Sequence, residues 1–312
     1  MLSTALTVLP VFLIILAGYA AGKTGIVPAE YAQVINRFVV HIPLPALMFH
    51  IVATSDWHQI WNGDYVITML ASGLSMFAIG ALIGKWSGQR PADMAICGLN
   101  ASYQNAGYLG LPLLILAVGP QSAPYSVIAF SLGLGVNFAA SIFMIEMSLH
   151  HDQGKLHALG KSLVALLRNP VTAPPILGLL WWLIGIEIPP FLNRTLELLG
   201  NSASPTALAG IGLLLAQQPL RNAIGNRTAL ALTFSKLVLH PAIAAVIALA
   251  LLAMPWPLAR IAILQAAMPT GTGPFMLSGL YRRDGVVTSG TILLSTVISV
   301  ITITAILTLF PE

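Results

Sequence analysis

Ten runs of roughly 18 to 25 mostly apolar residues follow one another along this chain, at residues 4–22, 31–53, 64–86, 92–118, 122–149, 163–185, 190–217, 228–253, 257–281 and 286–310. That length is what a bilayer core demands of a helix, because lipid offers no partner for an open backbone group. The expected fold is therefore an all-α integral membrane protein of ten transmembrane helices with the lipid bilayer as its solvent. Only 8% of the residues are charged, where a soluble domain carries about 25%. A β-barrel would show short alternating segments instead of continuous runs. No Lys or Arg precedes the first run and Lys23 follows it, the reverse of a secretory leader, so it reads as a span.

The 14 basic residues are scattered and form no patch for nucleic acid; they read as topology markers. With the N-terminus outside, the cytoplasmic ends and links hold Lys23, Lys85, Arg90, Lys155, Lys161, Arg168, Arg221, Arg227, Arg282 and Arg283. The outer side then holds only Arg194 and Arg260, and Arg37 and Lys236 fall inside spans. Both termini are expected outside. The single cysteine, Cys97, excludes a disulfide framework and a Cys-based metal site.

The hydrophilic stretch from His150 to Lys155 divides the spans five and five. An odd number on each side makes the second half enter from the opposite face, the inverted-repeat build of many secondary transporters. The expected organisation is a first repeat at 1–149, a cytoplasmic link at 150–162 and a second repeat at 163–312. Landmarks recur in order. Asn36-Arg37 opens span two and Asn193-Arg194 opens span seven, while Pro45 and Pro205 fall within those same spans.

The fourth and ninth spans are each interrupted by polar residues. One carries Gln104, Asn105, Gly107, Gly110 and Pro112; the other carries Pro269, Thr270, Gly271, Thr272, Gly273 and Pro274. Gly and Pro open a helix, and opened backbone at membrane depth survives only inside protein or beside an aqueous cavity. The half-helix beyond each break presents its positive end, which suits an anion, and Gln104, Asn105, Thr270 and Thr272 add side-chain donors.

At these residues the chain resembles the auxin efflux carrier family in a compact bacterial form. The matching pieces are Asn36-Arg37 leading to LPALMF (44–49), NAGYLGLPL (105–113), Lys236 followed by LVLHP, and MPTGTGPFMLSG (268–279), and the resemblance spans essentially the whole chain. The long central loop of plant members is absent. The resemblance implies the crossed-helix fold shared with bile acid–sodium symporters, in which broken helices four and nine cross at the substrate site. It implies a scaffold bundle and an elevator-like transport bundle, a homodimer, a bacterial inner-membrane location, and a small organic anion such as malonate or malate as cargo. Where the family often carries an Asn shortly after the span-nine proline, this chain has Gly273 and Pro274, which removes one side-chain ligand.

Lys236 lies about eight residues into span eight, roughly 12 Å deep, and a charge there is a functional candidate for attracting the anion or for proton coupling. The alternative is that its stem snorkels to the cytoplasmic face. Glu146 is expected at the interface, and Arg37 near the inner surface. His41, His50 and His240 read as hydrogen-bonded packing residues, and Asn137 reads as part of a small-residue helix contact. Asp56, His58 and Asp64 fall in or beside an outer loop. No triad, zinc spacing, phosphate loop or cofactor motif occurs, so an enzyme is not expected. Three functions stay open: a carrier for a mono- or dicarboxylate, coupled to protons or to no ion; a sodium-coupled symporter of the bile acid type, against which the lack of carboxylates near the breaks counts; and a membrane sensor that binds without moving its ligand.

Overall fold

The computed structural model describes residues 2–149, 154–168, 172–217 and 223–309, and these are helical with no strands beyond one isolated pair of bridged residues. The main helices are α1 (Leu2–Thr24), α2 (Ala32–Thr54), α3 (Gly63–Trp86), α4 (Pro91–Ser102), α5 (Ala106–Ala117), α6 (Pro120–Leu149), α7 (Gly154–Leu167), α8 (Ala173–Ile184), α9 (Pro190–Gln217), α10 (Arg227–Leu251), α11 (Trp256–Ala266), α12 (Gly273–Leu280) and α13 (Val286–Leu309).

Six of them, α2, α3, α6, α9, α10 and α13, are each long and apolar enough to cross a membrane. The fourth and ninth apolar runs are not among the six because each is divided into two shorter helices, α4 with α5 and α11 with α12. In the sixth run residues 163–167 belong to α7, and the later part forms the 12-residue α8, whose Pro174 and Pro175 sit in the first turn, where a missing N–H is harmless. Residues 154–162, expected as link, already belong to α7. Residues 150–153 of that link, and Arg221, lie outside the described residues.

The chain falls into two compact units. One comprises Met1–Trp61, Ala106–Ile128 and Asn169–Gln218; the other comprises Asn62–Asn105, Ala129–Arg168 and Pro219–Glu312. Each takes segments from both halves of the sequence.

In the first unit α1 lies against α9 through small residues. A methyl on Gly18 would strike the carbonyl of Ala209, and one on Gly212 would strike the carbonyl of Ile15. Such backbone-to-backbone approach is how helices associate where lipid removes the hydrophobic drive. Here His50 Nε2 meets Asn193 Oδ1 at 2.9 Å, and the Tyr108 hydroxyl donates to Asn36 Oδ1 at 3.1 Å. His41 Nδ1 lies 2.8 Å from the carbonyl oxygen of Arg37, one turn back. The two landmark asparagines are thus each tied by a side-chain hydrogen bond.

In the second unit α3 and α4 approach through Gly80, Gly84 and Gly98, and the amide of Asn137 on α6 fills the space over Gly73. The residues of α4 from Ala95 onward and of α11 from Ala259 onward are all buried. A helix covered on all sides is an interior element, and these two carry the site.

Candidate functional site

α4 ends at Ser102, and Tyr103 is extended (φ −82°, ψ 98°). The three residues Tyr103, Gln104 and Asn105 run antiparallel to Pro269, Thr270 and Gly271, with Gln104 paired to Thr270. The Asn105 N–H donates to the Pro269 carbonyl at 2.8 Å, and the Gly271 N–H donates to the Tyr103 carbonyl at 3.0 Å. Two interrupted helices deep in a membrane protein would leave backbone groups open at a cost of several kcal/mol each. Here each break supplies the other's partners. Pro269 fits this register because only its carbonyl is called upon.

Several other groups at these helix ends also have partners. Thr270 is fully buried; its hydroxyl donates to the Asn100 carbonyl at 2.8 Å, and its N–H donates to Ser295 Oγ at 3.1 Å. The Asn100 side-chain amide donates to Thr288 Oγ1 at 2.9 Å. At the end of α11, Lys236 Nζ donates to the Ala266 carbonyl at 2.7 Å and lies 3.0 Å from His240 Nδ1. Lys236 is fully buried, so its head does not snorkel. It sits on a widened, π-type turn of α10, Ser235–Leu239, a feature frequent at functional sites. Among the described residues no carboxylate pairs with it. A cation at the negative end of a half-helix is electrostatically favoured.

The break lies at Tyr103–Asn105, ahead of the glycines and proline that advertise it. Gly107 and Gly110 belong to a buried, widened helical turn, Ala106–Gly110, and Pro112 sits in the first turn of the regular helix that follows. In the partner break Pro269, Thr270 and Gly271 form the extended segment, while Gly273 and Pro274 open α12. Thr272 precedes α12, yet no side chain caps its N-terminus, so its first N–H groups lack helical acceptors. The side chains of Gln104, Asn105 and Thr272 make no hydrogen bond among the described residues, although Gln104 is 7% and Asn105 5% exposed. Of the expected site residues, Gln104, Asn105 and Thr272 therefore have free side chains, whereas Thr270 and Lys236 are engaged in holding the crossing together.

The far end of α12 is pinned as well. The Tyr281 hydroxyl donates to Glu146 Oε1 at 2.7 Å, and Arg283 forms a two-point ion pair with Asp93, its Nε at 2.7 Å. Those hydrogen bonds hold the Arg283 guanidinium above its ordinary pKa. Glu146, expected at the interface, is only 4% exposed. The sequence reading also missed Asn100, Thr288 and Ser295. Their only signal is a run of buried hydroxyls on α13 at Thr288, Thr291, Ser295 and Ser299, which follow a helical face.

The sequence profile of the membrane transport protein family matches residues 4–307. The chain belongs to this family. It is one of transporters and includes the auxin efflux carriers; it is not a family of enzymes. A Rhizobium meliloti relative named "Putative malonate transporter" is 29% identical over 306 residues, covering 96% of this chain and 93% of its own length. An Escherichia coli relative, "Uncharacterized transporter YfdV", is 25% identical over 217 residues, 67% of each chain. "Auxin efflux carrier component 8" of Arabidopsis thaliana is 24% identical over 304 residues, covering 81% of this chain and 82% of its own. This family member is thus a multi-pass membrane transporter.

Proposed function

We propose that the protein is a secondary carrier for a small mono- or dicarboxylate of the malonate or malate class, and that the crossing of the two breaks is its binding site. One observation carries the reading: the paired breaks supply each other's backbone partners while, among the described residues, the amides of Gln104 and Asn105, the Thr272 hydroxyl and the uncapped start of α12 have none. Neutral donors together with a helix N-terminus suit a carboxylate. Lys236 adds long-range positive potential from the end of α11. Thr270 braces the crossing, Pro269, Gly271, Gly273 and Pro274 shape it, and Gly107, Gly110 and Pro112 lie in the chain that follows the first break.

The relative named for malonate supports the substrate class. The kinship with auxin efflux carriers supports ten crossings arranged as two inverted repeats, an elevator-like motion, and a homodimer. That each compact unit draws on both halves of the sequence agrees with interleaved repeats. The excess of Lys and Arg on one side supports both termini outside, in a bacterial inner membrane.

Sodium coupling is a second reading with its own observation. Asn100 Oδ1, Ser102 Oγ and Thr296 Oγ1 are buried side-chain oxygens without partners among the described residues, and neutral oxygens are what a hard cation takes. Uptake of labelled malonate and malate into proteoliposomes, under a pH gradient, a sodium gradient and a voltage in turn, tests both. Saturable uptake is expected, and the gradient that drives it names the coupling. Malonate binding without flux under any gradient would leave a sensor instead.

A further inference from the structure

A ring that none of the preceding chemistry uses lies on the break. The backbone carbonyl of Tyr103 is tied to Gly271, and its side chain lies across both Gly271 and Gly273. A methyl placed on Gly271 would come within 3.0 Å of the ring, and one on Gly273 within 2.9 Å. Almost no real side-chain carbon packs that closely, so glycine at both positions is what admits the ring. On its other edge the ring meets a widened turn of α6, Gly133–Phe138. A methyl placed on Gly133 there would make an ordinary contact with the ring at 3.7 Å, and the Phe138 ring centre is 6.3 Å away at a tilt of 52°. Tyr103 is 8% exposed, and its hydroxyl has no partner among the described residues.

The ring is thus clamped between the start of α12 and α6. Gly271 and Gly273 flank Thr272, so the ring covers the uncapped first turn of α12, and its own residue adjoins Gln104 and Asn105. Its neighbours on α12 and α6 thus hold the ring over the start of α12. We propose that Tyr103 is the specificity-determining residue of the site: its ring occupies the slot that an aromatic or otherwise bulky acid would need, and restricts the carrier to small aliphatic anions. This rests on the carboxylate-carrier reading above and deepens it. A shape-filled apolar wall discriminates by exclusion, and relief of such a clash is worth about tenfold or more in relative affinity.

The test is binding of labelled malonate to the purified protein in competition with phenylacetate, whose ring matches the volume that Tyr103 takes up. In the unmodified protein phenylacetate is expected to displace malonate poorly. In Tyr103→Ala the ratio of phenylacetate to malonate affinity should rise about tenfold or more. Tyr103→Leu, which keeps apolar filling but not the full ring, should shift the ratio the same way by less, and it decides the matter if the alanine variant fails to fold. An unchanged ratio in a folded variant, with malonate still bound by the unmodified protein, would overturn the proposal alone. Binding of neither acid by the unmodified protein would overturn the carboxylate reading and this proposal with it.

Discussion

Asn105→Ala is expected to lower malonate uptake at subsaturating concentration by about ten- to a hundredfold, with the thermal midpoint little changed. The two effects separate because Asn105 does two jobs with different atoms. Its backbone N–H donates to the Pro269 carbonyl, and alanine retains that bond. Its side-chain amide makes no hydrogen bond among the described residues, so little of the fold depends on it. A hydrogen bond to a charged group contributes about 1.5–3 kcal/mol, and 1.4 kcal/mol is a factor of ten in affinity. Uptake kinetics set beside a melting curve of the purified variant check this. Uptake equal to that of the unmodified protein would remove Asn105 from the site.

Lys236→Met is expected to abolish measurable uptake, a fall of about a hundredfold or more, in protein that still folds. Methionine approximates the length of the lysine stem but removes both the charge and the donor. The Ala266 carbonyl then loses its partner at 2.7 Å, a cost of about 1–3 kcal/mol. Against this stands relief from burying an ammonium that no carboxylate among the described residues pairs with, a penalty of several kcal/mol. The two terms oppose each other, so stability moves less than transport does. Transport has no such compensation: an anion entering the crossing loses the one buried cation at the end of α11. Normal uptake by the variant would assign Lys236 to structure alone.

The membrane nature of the fold is legible because it rests on the length of apolar runs, which a bilayer dictates. The count of uninterrupted helices is not, since an apolar run reads the same whether or not it is broken inside. Gly107, Gly110 and Pro112 advertise an opened helix, yet the opening falls at Tyr103–Asn105. Local propensity says that a helix can open nearby; the partner segment Pro269–Gly271, distant in sequence, decides where. The same limit hid Asn100 and Ser295. Hydroxyls in membrane helices commonly bond their own backbone, as Ser299 and Thr304 do here; Ser295 does so too, so nothing local marks that it also accepts from Thr270. Glu146 sits near a helix end, which suggests an interface until Tyr281 is seen to reach it. The Lys236–His240 contact was closer to legible. Residues four apart share a helix face, and that spacing alone brings the imidazole to the ammonium.

In the proposed carrier the crossing is a binding site reached alternately from the two sides of the membrane. The most direct measurement places a cysteine at Thr272, whose free hydroxyl stands at the start of α12, in a Cys97→Ala background that removes the only native thiol. Oriented vesicles are then treated with a membrane-impermeant thiol reagent from either face, with and without malonate. Labelling from both faces, slowed by malonate at concentrations that saturate binding, is the predicted result. Labelling from one face only, or labelling from both that malonate leaves untouched, would contradict it.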